Sequence, residues 1–308
     1  MSVQSKSCLI LVLLLGFFPG NRVSAEEVTL IHQGITLDAE LELAPGKTLA
    51  DGVILITHGT QAHNNMETLV NLRSLLKDKG YSTLAINLSL GLDRRHGFYD
   101  CAKPSTHKDT DSVGEIGAWV KWLGGKGVKK IVLLGHSRGG AQTALFAADH
   151  NDPLVRAVIL LAPAASDQAE TAREYQERYG KPLAPVLARA EALVKAGKGD
   201  TLLEHVPFLA LCNDTSVTAA SFVSYYGPDP RRNTITLLPK IKKPTLIFVA
   251  GDDQVVKGLD KKAAPFVDGK RIRLKVIPGS DHFFRDLWMD DAVDAMAAFL
   301  GPDMKSVD

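Results

Sequence analysis

Four apolar runs, one of them broken only by Arg156, constrain this 308-residue chain more than any other feature: GVILITHG (52–59), KIVLLGHS (130–137), VRAVILLAPA (155–164) and PTLIFVAG (244–251). Each has the length of a strand rather than a helix, and none alternates in polarity. That is the pattern of strands covered on both faces. YSTLAINLSL (81–90) and KRIRLKVIPG (270–279) read as two further strands. Helical patterns stand between them: METLVNLRSLLKDKG (66–80), DSVGEIGAWVKWL (111–123), RGGAQTALFAADH (138–150) and FRDLWMDDAVDAMAAFL (284–300). In the first of these, Met66, Leu69, Val70, Leu72 and Leu76 fall on one side of the helix. The alternation predicts an α/β fold, a mostly parallel central sheet with helices on both faces. EVTLIHQG and ITLDAELEL (27–43) alternate in period two around a Gly-containing turn and predict a hairpin ahead of it.

Residues 165–240 break the rhythm. PLAPVLARAEALVKAG (182–197) is amphipathic with a helical period, and no strand pattern is evident in the stretch. The expected organisation is a core of 26–164 and 241–308, with 165–240 inserted as a helical cap over the sheet's carboxyl edge.

The first 25 residues fall outside this fold argument. A short basic start, the apolar run CLILVLLLGFF and the small residues VSA ahead of Glu26 form the three-part pattern of a secretory signal peptide cleaved after Ala25. The run is too short to span a bilayer comfortably. The reading implies a secreted or periplasmic protein with no stable membrane insertion after cleavage. The formal charge is +1 and no Lys/Arg block occurs, so nucleic acid is not an expected partner. Removal of the leader takes Cys8 with it and leaves Cys101 and Cys212. In an oxidising compartment these two either pair or remain separate thiols; their polar, loop-like surroundings favour pairing and thereby a tie between cap and core.

Ligands of open α/β sheets bind beyond the carboxyl ends of the strands. The reactive residues just after each strand are His58, then Ser137, then Asp252 and Asp253, then His282. Serine, acid and histidine therefore occur in that order at one edge. GHSRG (135–139) between strand and helix resembles the nucleophile elbow of the α/β-hydrolase fold, and the order Ser, Asp, His matches that family. HGT (58–60) resembles its oxyanion turn; GDDQVV (251–256) and GSDHFF (279–284) resemble the segments that bear its acid and histidine. The resemblance extends over nearly the whole mature chain.

A serine hydroxyl needs a base to become a nucleophile, and a neutral imidazole needs a carboxylate to hold its tautomer. Ser137, His282 and either Asp253 or Asp252 fill these roles; the resemblance favours Asp253, because DQVV matches the family's aspartate followed by an apolar pair. The backbone N–H of Arg138 is one expected oxyanion donor; the second comes from Thr60 or Gln61. His58 and His136 are expected to shape turns and to pack.

The implied function is carboxylic-ester hydrolysis on a small-molecule acyl substrate. Acyl transfer or amide hydrolysis on the same fold is one alternative, and a binding protein that keeps the fold without the chemistry is another. Neither a metal nor another cofactor is expected: HExxH, CxxC and a dinucleotide GxGxxG are missing from the sequence. Phe208, Leu209, Leu211, Phe222, Tyr225 and Tyr226 either line an acyl pocket or pack the cap. Arg94, Arg95 and His96 either meet an anionic substrate or form a solvated basic turn.

Overall fold

The apolar runs form one eight-stranded sheet in the order β1-β2-β4-β3-β5-β6-β9-β10. This computed structural model describes residues 25–301. The signal-peptide reading covers 1–25, and all of it but Ala25 lies outside them. The strands are β1 (Glu26–His32), β2 (Ile35–Glu42), β3 (Val53–Thr57), β4 (Thr83–Ile86), β5 (Ile131–His136), β6 (Val155–Leu161), β9 (Thr245–Ala250) and β10 (Ile272–Ile277). β1 pairs with β2, and β2 with β4, antiparallel; every other pairing is parallel. No helix among the described residues is long and apolar enough to cross a membrane.

The two-faced burial of the central strands is visible residue by residue. Val53 and Leu55 of β3 enter one core, with Ile116 and Trp119 of α2 (Asp111–Gly125) and Leu145 of α3 (Arg138–Asp149). Ile54 and Ile56 enter the other, with Leu69, Leu72 and Leu76 of α1 (Glu67–Asp78) and Met289, Val293 and Met296 of the last helix, Leu287–Leu300. Successive side chains of a strand point to opposite faces, so a run with no polar member needs a helix layer on each. Val70 departs from expectation. It is 44% exposed, because the stripe of α1 that meets the sheet is narrower than its run of apolar residues.

The segment between β6 and β9 contains α4 (Gln168–Tyr179), α5 (Leu183–Lys195), α6 (Ala219–Tyr226) and the four-residue α7 (Thr234–Leu237). It is not purely helical, which corrects the expectation from sequence. β7 (Leu202–Phe208) and β8 (Cys212–Thr218) pair as a two-stranded antiparallel sheet. Two register shifts interrupt their pairing, and His205 sits at φ 57°. These irregularities break the period-two pattern by which a strand is read, and the Asn-Asp of β8 lowers its strand propensity. The segment has its own apolar cluster, which includes Tyr175, Leu187, Phe208, Leu209, Phe222, Tyr225 and Tyr226. Of the six residues offered as pocket lining, only Leu211 is exposed. The rest pack the insertion.

Candidate active site

β5 ends at His136, and Ser137 turns the chain sharply into α3 with φ 58° and ψ −125°. This is a costly conformation for a non-glycine residue, and it persists only where the surroundings enforce it. Here they do: the Ser137 N–H donates to the Leu161 carbonyl at 3.0 Å, and its own carbonyl accepts from the N–H of Gly140 and of Ala164, each at 2.9 Å. Two glycines permit the turn by close approach. A Cβ on Gly139 would lie 2.1 Å from the His58 carbonyl oxygen, and one on Gly135 would lie 2.4 Å from that of Gly139.

The loop after β10 brings His282 to this hydroxyl, and the loop after β9 brings the acid. His282 Nε2 is 2.9 Å from Ser137 Oγ, and its Nδ1 is 2.8 Å from Asp253 Oδ2. An ionised carboxylate only accepts, so Nδ1 donates to Asp253 and Nε2 is left to accept the serine proton. The other carboxylate oxygen, Oδ1, accepts the N–H of Val255 at 2.7 Å and of Val256 at 2.8 Å. Burial pushes the Asp253 pKa up. The His282 hydrogen bond and charge, with those two N–H groups, more than offset it and hold the carboxyl below its usual range. Asp252 is exposed, and its N–H donates to the Ser280 carbonyl. The structure thus places Asp253, and not Asp252, on the histidine. Asp281 bonds the N–H of Phe283 and pairs with Arg285, as a turn residue does.

The turn after β3 lies against the serine: a Cβ on Gly59 would be 3.2 Å from Ser137 Cβ. Thr60 accepts a bond from the Arg138 side chain, Nε to Oγ1 at 3.2 Å. The same guanidinium lies 3.6 Å from Asp109 and stands over the ring of Tyr225 at 5.4 Å. Gln61 adopts φ 52°, and its carbonyl accepts the Tyr99 N–H. Its side-chain amide reaches the tip of the β7–β8 hairpin, with Oε1 accepting from Leu211 N–H and Nε2 near Cys212 Sγ, both at 3.2 Å. Cys101, in the loop after β4, is disulfide-bonded to Cys212 with the two Cα atoms 5.3 Å apart.

Two further histidines beside the site, His58 and His136, are buried and hydrogen-bonded away from the serine. His58 Nδ1 donates to the Gly59 carbonyl, while Nε2 accepts from Leu88 N–H at 3.1 Å and from Arg95 Nη2 at 2.9 Å. Burial, then the Arg95 charge, bring its pKa down to about 3. His136 donates Nε2–H to the His282 carbonyl at 2.9 Å, and burial first, then the charge of His282, lower its pKa to about 3. Arg95 is itself buried, which separates it from its neighbours Arg94 and His96. Those two stay exposed; His96 pairs with Glu27 and Arg94 gives its N–H to Thr36. Arg95 and the Gln61 side chain had no sequence signal, because each acts through one long-range contact.

A family model described as the alpha/beta hydrolase family matches residues 53–299. Among solved structures, Est1E from Butyrivibrio proteoclasticus is similar at 20% identity and TM-score 0.63, covering 91% of this chain and 99% of that one. The alpha/beta hydrolase GrgF from Penicillium sp. sh18 is similar at 16% identity and TM-score 0.65, covering 91% and 99%. The Pyrococcus furiosus esterase Pf2001 is similar at 15% identity and TM-score 0.59, covering 90% of each chain. No curated protein matches the sequence.

Proposed function

We propose, from the premise that the chain belongs to the alpha/beta hydrolase family, that it is a serine hydrolase acting on carboxylic esters. The observation that supports this reading above all is the imidazole of His282, held 2.8 Å from Asp253 and 2.9 Å from Ser137 Oγ. His282 takes the serine proton as Oγ attacks the ester carbonyl. The resulting oxyanion is received by the N–H of Arg138, at the start of α3, and by that of Thr60 or Gln61. Collapse expels the alcohol, which takes the proton from His282 and leaves an acyl group on Ser137. Water, deprotonated by the same imidazole, then releases the carboxylic acid and restores the serine. The Asp253 carboxylate remains ionised throughout and stabilises the imidazolium.

The Cys101–Cys212 bond supports a site of action outside the reducing cytosol, in keeping with the leader pattern of the first 25 residues.

The test is reaction of the mature protein with a fluorophosphonate probe, peptide mapping of the adduct, and turnover of p-nitrophenyl esters from acetate to decanoate. Labelling at Ser137 with turnover of at least one ester is the expected result. No adduct at Ser137 and no turnover would leave a binding protein on a hydrolase scaffold. An adduct together with product formed only in the presence of an amine or alcohol acceptor would indicate acyl transfer.

A further inference from the structure

At the end of the sheet opposite Ser137, the amino ends of β5, β6, β9 and β10 surround a recess of about 450 Å3. It is lined by Lys130, Arg156, Lys270 and Arg273, with Ala157, Pro244, Phe299 and Leu300 supplying apolar surface. The volume lies within the range of small-molecule sites, about 300–1,000 Å3.

Two features show that the cations are directed there. β6 (VRAVILL) is buried along its length except at Arg156. The β5–β6 register passes from Ile131↔Val155 to Val132↔Ala157, so Arg156 is the extra residue of a bulge. A bulge re-aims a side chain that regular pairing would send into the core. In a strand otherwise wholly apolar, this one delivers a guanidinium to the recess. Across the recess, Arg273 of β10 lies 5.7 Å over the ring of Phe299, which orients its fork.

Charge balance points the same way. Arg156, Lys270 and Arg273 have no ion-pair partner among the described residues. The neighbouring carboxylate of Asp268 is engaged by the backbone N–H groups of Lys270 and Ile272. Lys129, Lys242, Lys243 and Arg271 flank the same edge in sequence, against the further carboxylate of Asp152, which accepts the Leu154 N–H. Like charges converging on a concavity concentrate anions there.

We propose that this basal recess binds an organic anion, a carboxylate or phosphate head held by Arg156 and Arg273 with an apolar body laid on Phe299, Leu300 and Pro244. Two arginines suit either head, because their planar forks match carboxylate and phosphate oxygens in pairs. The inference does not depend on the chemistry assigned to Ser137.

The test is calorimetric titration of the mature chain with octyl phosphate and with octanoate, both kept monomeric, beside inorganic phosphate and octanol. Expected is saturable binding of one or both octyl anions, weakened about tenfold or more in Arg156→Ala/Arg273→Ala and by added salt. Turnover of a short ester by that variant should match the parent. The two heads distinguish a carboxylate from a phosphate ligand. Unchanged affinity in the variant would place the anion elsewhere and overturn the proposal. So would octanol binding as well as the anions, or inorganic phosphate binding as tightly as octyl phosphate. Binding seen only after deletion of residues 302–308 would make the recess the seat of the chain's own carboxyl-terminal segment, and would overturn it as well.

Discussion

Arg138 donates its Nε–H to Thr60 Oγ1 at 3.2 Å, so the side chain that follows Ser137 spans to the turn after β3. In the proposed mechanism the Arg138 N–H is one oxyanion donor, and the turn that carries Thr60 and Gln61 supplies the other. The spacing of the two donors then depends on this bond, while the donors themselves are backbone N–H groups. Thr60→Val keeps the N–H and removes the acceptor. It should lower kcat by about tenfold with KM little changed, the loss expected of one hydrogen bond that acts on transition-state geometry. Arg138→Met should do the same, and the double variant should be no worse than either alone. Steady-state kinetics of the four proteins decide it; additive losses would show that the two side chains act separately.

Ser137→Ala should abolish fluorophosphonate labelling and reduce ester turnover on the order of 10⁴-fold or more, with circular dichroism unchanged. Turnover near that of the parent would remove Ser137 from the mechanism.

Asp253 and Asp252 are adjacent in sequence and opposite in setting, which makes a sharp comparison. Asp253→Asn replaces the acceptor of the His282 Nδ1–H with an amide and should cost about 10³–10⁴-fold in kcat. Asp252→Asn alters an exposed carboxyl and should cost little. The reverse ranking would transfer the acid to Asp252, and equal small losses would dismiss a triad of this type.

Acid should destabilise the fold well above the range in which carboxylates titrate. His58, His107 and His136 are buried and neutral, each with a pKa brought down to about 3, with burial the largest cause in each case. In the unfolded chain each binds a proton near pH 6.5, so stability falls as pH drops from 6.5 toward 3. At pH 5 the loss is roughly 2 kcal/mol per histidine as an upper figure. Glu115 works in the opposite direction: burial raises its pKa to about 7, so between 4.5 and 7 the folded state binds the extra proton. Its contribution at pH 5 is roughly 2–3 kcal/mol, which leaves a net loss on the order of 3 kcal/mol relative to pH 8. Urea unfolding at pH 8 and pH 5 measures it. Equal stability, or greater stability at pH 5, would contradict the neutral burial of the three rings.

Reduction of Cys101–Cys212 should act locally before it acts globally. The bond joins residues 111 apart, for which chain-entropy models give roughly 4–5 kcal/mol as an upper figure. Backbone bonds remain between the same loop and β8, from Ser105 N–H to the Ser216 carbonyl and from Thr218 N–H to the Ser105 carbonyl. With dithiothreitol, amide exchange over 202–218 should accelerate while β5 and β6 stay protected, and activity should fall at lower urea than the far-ultraviolet signal. Uniform acceleration across the sheet would refute a local role.

The central strands were legible because burial on both faces leaves an unbroken apolar run, a signal that does not depend on which helices do the covering. The elbow was legible for a related reason: a Cβ on Gly135 or Gly139 would fall 2.4 or 2.1 Å from a backbone oxygen, so the spacing around Ser137 is dictated by sterics. The β7–β8 hairpin was not legible, since its register shifts and the left-handed His205 scramble the alternation. Nor was Arg95. Between exposed Arg94 and exposed His96, nothing local tells that the middle residue turns inward to His58 Nε2. Such information resides in pairs far apart in sequence, and any local stretch of the chain shows only one member of each pair.

The amide of Gln61 has a consequence for how this chain could change. One residue of the turn beside the serine is saturated by the hairpin tip, through Leu211 N–H and Cys212 Sγ. In this fold the insertion is the part usually imagined as exchangeable, a module to be swapped for a new substrate range. Here an exchange would strip a buried amide of both partners and leave a carbonyl and an NH2 group desolvated. A foreign cap would therefore have to bring its own donor and acceptor for Gln61, or arrive together with a replacement at position 61. The turn and the hairpin tip are heritable only as a pair.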